Sequence, residues 1–286
     1  MRKLIIIIAL ALLSAPAEAS EQKRFSVFKF LSSEKSIEKV LNSQARYANN
    51  SNYKKFMSTF SPEYTNADGF SLEDYSKLIK DIWNTYKDIE YSIQIEDIKV
   101  DGNKAIAKVI ETTFADTALL NSYNGKLISK ANTLYHLEKN SKGKWKVSYD
   151  SVVAETTQLL YGDAQNIEYK LTVPEQINAN TEYIASLEFT PPNDTIAIAS
   201  LAVDKIEYPQ GKTEEVFRAM PEDNILERFF TSNNENKNEY VIASIGLTKT
   251  SICDLNIKLS LTGFGYVIKR INVLDKDKEI NIDDKN

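Results

Sequence analysis

The chain has 286 residues, 35 basic and 40 acidic side chains, one histidine and one cysteine, with a formal net charge of −5. Mild acidity spread along the chain, with no basic stripe, argues against a nucleic-acid partner. The lone Cys253 excludes an internal disulfide framework, so stability must come from buried apolar surface. One histidine and one cysteine, far apart and without ligand spacing, give no basis for a metal site, and no phosphate loop or nucleophile elbow points to a cofactor.

The N-terminus reads as a secretion leader over residues 1–19. Met1-Arg2-Lys3 is cationic, Leu4 to Leu13 is wholly apolar, and Ala17-Glu18-Ala19 has the small-x-small form a signal peptidase cleaves. The apolar run falls short of the about 20 residues a spanning helix needs. The expected product is an exported protein, periplasmic or secreted, that begins at Ser20 and has no later membrane span. Residues 20–35 are a lead-in.

From Ser36 the periodicity turns helical. Ile37, Val40, Leu41, Ala45 and Ala48 mark an amphipathic helix that Asn50-Ser51-Asn52 breaks, and Tyr53 to Phe60 predicts a short second helix ending near Ser61-Pro62. Asp68-Gly69 is a turn. Ser71 then opens a third helix, with Asp74 placed to complete a capping box. Tyr75, Leu78, Ile79, Ile82, Trp83 and Tyr86 share one face of it, which should lie on a flat apolar surface.

Strand periodicity follows. Tyr91 to Val100 shifts parity near Glu96-Asp97, the mark of a bulge, and Asp101-Gly102-Asn103 turns tightly into Lys104 to Thr117. Leu127 to Lys139 returns through Asn140 to Gly143 into Lys144 to Thr157, where Trp145, Val147, Tyr149 and Val153 are expected on one face. His136 shares parity with Lys130 and Glu138 and should lie outside. Helices followed by long antiparallel strands give an α+β plan.

Gln44-Ala45-Arg46-Tyr47-Ala48, Phe60-Ser61-Pro62-Glu63-Tyr64, Asp68-Gly69, the Ser71 helix and Gly143-Lys144-Trp145-Lys146-Val147 together resemble the nuclear transport factor 2-like superfamily, which includes SnoaL-like proteins. The resemblance covers residues 36–162. It implies a cone of three helices on a curved antiparallel sheet with an apolar pocket between them. Members include enzymes, ligand binders and assembly modules. In the ketosteroid-isomerase branch a tyrosine and a second, protonated acid hold an oxyanion while a carboxylate moves the proton. By position Tyr47 resembles that tyrosine and Asp68 that base. The matching strand, Asn132-Thr133-Leu134-Tyr135, lacks the second acid. Tyr47, Phe56, Phe60, Tyr64, Trp83, Tyr135 and Tyr149 are the candidate pocket lining for a small apolar ligand, or equally a filled core.

Tyr161 to Gln165 reads as a linker. Beyond it, residues 166–274 carry roughly seven or eight short strands with turn signals between them, the pattern of an antiparallel β-sandwich. It resembles an immunoglobulin-like module in architecture, without the Cys/Trp/Cys signature. Residues 275–286 form a polar tail. The expectation is an exported, non-catalytic ligand-binding or interaction protein that meets a protein partner through the sandwich. Two alternatives stand beside it: a proton-transfer enzyme using Asp68 and Tyr47, and an assembly protein that forms a homodimer through the outer sheet face of the cone.

Overall fold

The computed structural model describes residues 17–119, 123–253 and 256–275. The apolar leader run and nearly all of the polar tail lie outside these. Helix α1 spans Ala17–Asn49, so the lead-in expected at 20–35 belongs to the same helix as Ile37 and Leu41, both fully buried. The Ala17 to Ala19 step forms its start. The helix stops where Ser51 takes a positive φ of 48°. Asn49 holds that end in place: its side-chain amide bonds the backbone N–H and C=O of Tyr91 at 2.6 and 3.0 Å.

Asn52 then caps α2, Tyr53–Met57, by accepting from the Lys55 N–H. This helix ends three residues earlier than the periodicity predicts. Phe60–Asn66 instead forms a strand, β1, parallel to the last strand of the cone. The pairing skips from Phe60 to Thr65, which spares Pro62, with no N–H to give, a place in the ladder. Helix α3, Leu72–Thr85, has the expected capping box: the Asp74 N–H donates to Ser71 Oγ and the Ser71 N–H to Asp74 Oδ2, each at 3.2 Å. Ser71→Ala is expected to cost about 1 kcal/mol, seen as a lower urea midpoint with an unchanged slope.

The cone sheet is built from β2 (Lys87–Asp101), β3 (Lys104–Leu119), β4 (Tyr123–Lys139) and β5 (Trp145–Gly162), each antiparallel to the next. Its first hairpin turns at Gly102 and its bulge falls at Glu96, as the parity shift predicts. Three helices on a bulged, mostly antiparallel sheet match the α+β layout expected of the cone. Ile37, Leu41, Phe56, Phe60, Val109, Leu137, Trp145 and Val147 fill its narrow end.

A short 3-10 turn, Asp163–Asn166, leads into β6 (Lys170–Thr172), β7 (Gln176–Asn178), β8 (Glu182–Glu188), β9 (Thr195–Lys205), β10 (Arg218–Ala219), β11 (Ile225–Thr231), β12 (Glu239–Cys253) and β13 (Asn256–Leu274). Cys253 ends β12 opposite Asn256, and its side chain lies outside the described ones. The small sheet β11-β8-β6 packs on β9, β12 and β13 around Leu187, Leu201, Val241, Leu247 and Ile271. The C-terminal half is therefore all-β and two-layered.

The two halves share a sheet. Its order, β10-β9-β12-β13-β5-β4-β3-β2, runs through both, joined where Gly263 to Lys269 of β13 pairs with Thr156 to Gly162 of β5. Tyr161 and Gly162, expected in a linker, are ladder residues. Gly263-Phe264-Gly265 lies inside one long strand, where short strands with turns between them were expected. A Cβ on Gly263 would sit 2.5 Å from the Ala164 backbone nitrogen, and one on Gly265 would sit 2.8 Å from the Leu159 carbonyl oxygen. Glycine permits this close backbone approach, and the Phe264 ring between them stacks on Tyr161 at 4.5 Å.

Candidate functional site

The apolar face of α3 does not lie flush on the sheet. Between them is a cavity of about 400 Å³, lined by Tyr75, Leu78, Ile79 and Ile82 from the helix and by Leu127, Ala131 and Val152 from the strands. Its wide end is covered by the second half of the chain, through Ile206, Tyr240 and Arg270. Tyr208 ties that cover to the helix, donating to Asp81 Oδ2 at 2.6 Å.

The polar wall comes from strand bulges. Pairing of β4 with β5 shifts between His136 and Leu137, where Ser148 is extra, and again between Asn132 and Thr133, where Val153 is extra. Each extra residue reverses the side-chain parity beyond it. Tyr149 and Val153 therefore leave the face on which strict alternation places them with Trp145 and Val147. Asp150 and Val152 line the cavity in their place, and beyond the second bulge the first parity returns and adds Glu155 and Thr157. Glu111 joins them from β3.

Each of these three acids accepts from a tyrosine. Tyr135 donates to Glu111 Oε1, Tyr64 to Asp150 Oδ2 at 2.5 Å, and Tyr240 to Glu155 Oε2 at 2.9 Å. Thr133 and Thr157 donate to the remaining oxygens of Glu111 and Glu155, at 3.2 and 3.3 Å. Burial raises all three acids above the usual carboxylate range. Asp150 is pushed up to about 7: desolvation outweighs the Tyr64 bond, and the Glu111 and Asp68 charges outweigh Arg270.

Asp68, the base the resemblance implies, sits at the cavity rim in a buried ion pair. Arg270 of β13 forks onto it with bonds of 3.0 and 2.5 Å, and Asn238 donates to Oδ1 at 2.8 Å. The two side chains are 8% and 1% exposed. Burial works against the Arg270 charge, but the Asp68 hydrogen bonds and charge hold its proton more tightly than usual. Tyr47 lies elsewhere, in a cleft beside Lys39, Thr59 and Lys146, with the Arg46 and Lys55 cations over its ring.

Of the other aromatic candidates, Tyr135 lines the cavity. Phe56, Phe60 and Trp83 belong to a ring cluster, with Phe56 5.4 Å from Phe60 and 5.6 Å from Trp83. Tyr64 continues that cluster, 5.0 Å from Phe60, and reaches the site only through its hydroxyl. Tyr149 packs edge-on against His136 at 5.2 Å, away from the cavity. Glu111, Asp150, Glu155, Tyr240 and Arg270 escaped the sequence reading, and Tyr75 was legible only as part of the apolar face of α3. Glu111 and Glu155 fall on faces that alternation could have marked, whereas the bulge that turns Asp150 inward leaves no comparable sign.

No protein-family profile and no curated protein sequence matches the chain. Among solved structures, it is similar to a conserved protein from Planctomyces limnophilus, with 12% identity and a TM-score of 0.37 over 42% of this chain and 94% of that one. An NTF2-like protein of unknown function from Pseudomonas putida gives 9% identity and a TM-score of 0.31, over 43% of this chain and 86% of that one. Bd1075 from Bdellovibrio bacteriovorus gives 12% identity and a TM-score of 0.32 over 48% of this chain, and the match spans 42% of the length of Bd1075. The cone here is defined by its own register and helix packing, not by these likenesses. Among the described residues, no helix is long and apolar enough to cross a membrane.

Proposed function

We propose that this chain is an exported, non-catalytic ligand-binding protein. In this reading a nuclear transport factor 2-like cone holds a small, largely apolar molecule, and an immunoglobulin-like module covers the cone and meets a protein partner. The observation that carries it is the cavity under α3, roofed by Ile206 and Tyr240. Its volume of about 400 Å³ lies within the roughly 300–1,000 Å³ of small-molecule sites. Export is supported by the leader pattern of residues 1–19. The partner surface has support in the outer face of the small sheet, where Phe229 and Ile184 are cross-strand neighbours, 74% and 44% exposed.

Proton transfer by Asp68 and Tyr47 has less support, because Asp68 is held by Arg270 and Tyr47 lies in a separate cleft. Assembly through the cone has Phe114 and Ile128, paired and exposed on its outer face, in its favour.

Native mass spectrometry of the chain from Ser20 onward, purified without added ligand, tests these readings together. The expected spectrum is a monomer carrying an extra mass that denaturation releases, and that Ala131→Trp, which fills the cavity, abolishes. A bare dimer would transfer the case to assembly. A retained mass that survives Ala131→Trp would place the ligand outside the cavity and overturn the reading.

A further inference from the structure

The polar wall of the cavity is unbalanced in charge. Among the described residues its lining holds four carboxyl groups, Asp68, Glu111, Asp150 and Glu155, and one cation, Arg270. That guanidinium is already taken, by Asp68 at two nitrogens and by Asn272 Oδ1 at 2.8 Å. Glu111, Asp150 and Glu155 accept hydrogen bonds only from tyrosine and threonine hydroxyls among the described residues, and Arg270 reaches Asp150 and Glu155 through its field alone. Removing carboxylates from water without a counter-charge is unfavourable, and a cation within about 4–6 Å reverses the penalty.

The hydrogen bonding is unbalanced at one atom. Glu111 and Glu155 have both oxygens engaged. Asp150 has Oδ2 engaged by Tyr64, while Oδ1 has no donor among the described residues, although the residue is only 7% exposed and lines the cavity. A carboxylate oxygen open to the cavity and without a donor is an acceptor that a ligand N–H or O–H can satisfy. Among the described residues, no three carboxylate, histidine or cysteine side chains converge as a metal set. A ligand cation here would therefore bring its own donor hydrogens and its own body. The rest of the lining sets that body's character: Leu78, Ile82, Val152 and Ile206 are aliphatic, and Tyr75 and Tyr86 supply aromatic surface that favours rings and tolerates a nearby ammonium.

Building on the ligand-binding reading above, we infer that the cavity takes an amine: a primary or secondary ammonium on an apolar, ring-bearing body, its N–H donating to Asp150 Oδ1. An ammonium in the cavity would favour the ionised forms of Glu111 and Glu155 beside it, and α3 packs the body. A neutral alcohol of the same shape could donate to Oδ1 but would leave the three acids uncompensated, so the site should separate the two.

Calorimetric titration of the full chain from Ser20, at about pH 8 where Asp150 is ionised and alkylamines remain charged, tests this with two probes of one shape, phenethylamine and phenethyl alcohol. Phenethylamine is expected to bind at least about tenfold more tightly, the size of one charge-assisted hydrogen bond. Asp150→Asn is expected to erase that preference, bringing the two probes to within about twofold of each other. The wild-type comparison needs no variant, so a folding defect in the asparagine protein does not shelter the inference. Equal binding of the two probes, or tighter binding of the alcohol, overturns the amine and leaves a neutral-ligand cavity standing. Loss of binding by both probes overturns the cavity reading together with this one. An amine preference that persists in Asp150→Asn removes Asp150 from the role.

Discussion

Replacing Arg270 by methionine is expected to destabilise the folded chain by about 3–5 kcal/mol, among the largest effects of any single substitution in this protein. The guanidinium carries two of the bonds that reach Asp68, and both side chains are almost wholly buried. Removing it strands a carboxylate where Asn238 remains a donor and water has little access. Asp68→Asn should also be costly, because Arg270 would then be the buried, uncompensated charge. The double variant, Asp68→Asn with Arg270→Met, is expected to lose less than the sum of the two, since the charges disappear together. Urea unfolding of the four proteins in one buffer measures this. Strict additivity would mean that the pair is not formed in the native protein.

The location of this pair gives the prediction a second part. Asp68 lies in the turn between β1 and α3 of the cone, while Arg270 and Asn238 belong to the C-terminal half. The same atoms lie at the cavity rim, so the fastening between the halves is also part of the ligand wall. Arg270→Met should loosen the roof as well as the fold, and ligand release should quicken even at temperatures where the variant remains folded.

The second large effect concerns acidity. Asp150 titrates at about 7 in the folded chain and near 3.9 when unfolded. Between those values the folded state keeps a proton that the unfolded state has released. Its contribution to stability is therefore fully present below about pH 4, falls by about 1.4 kcal/mol for each unit of rising pH, and is gone above about pH 7, a total on the order of 4 kcal/mol. Glu111 and Glu155 shift in the same direction, so the cavity as a whole favours folding in mild acid. Asp150→Asn removes one titration and keeps an oxygen for the Tyr64 hydroxyl. The stability of the asparagine variant relative to wild type should climb across that window, read from urea unfolding at about pH 4.5 and about pH 7.5. A difference that stays flat would place Asp150 in contact with bulk water.

Much of the cone was legible without coordinates because its signals are local. The Ser71–Asp74 capping box, the α3 stripe, the Glu96 bulge and the Gly102 turn each depend on a few adjacent residues, and each is where the spacing puts it. The outward parity of His136 also follows from alternation along one uninterrupted strand. Local signals failed where a partner strand decides the outcome. Phe60 to Tyr64 carries no strand alternation of its own, and its extended form follows from pairing beside Val147.

The sequence by itself determined the helices, the hairpins, the all-β character of the second half and the apolar face that would border a cavity, because these follow from periodicity and turn chemistry. Only the tertiary structure decided that the two halves share one sheet, that Gly263 and Gly265 make the seam, and that Arg270 reaches back to Asp68. It alone decided the chemistry of the cavity as well. The bulge at Ser148 reverses a parity that alternation reads as unbroken and carries Asp150 inward, and the bulge at Val153 restores it, so that Glu155 lies on the same wall. A bulge is fixed by register against a neighbouring strand, so Asp150, the acid with an open oxygen, becomes visible as a site residue only once β4 and β5 are paired.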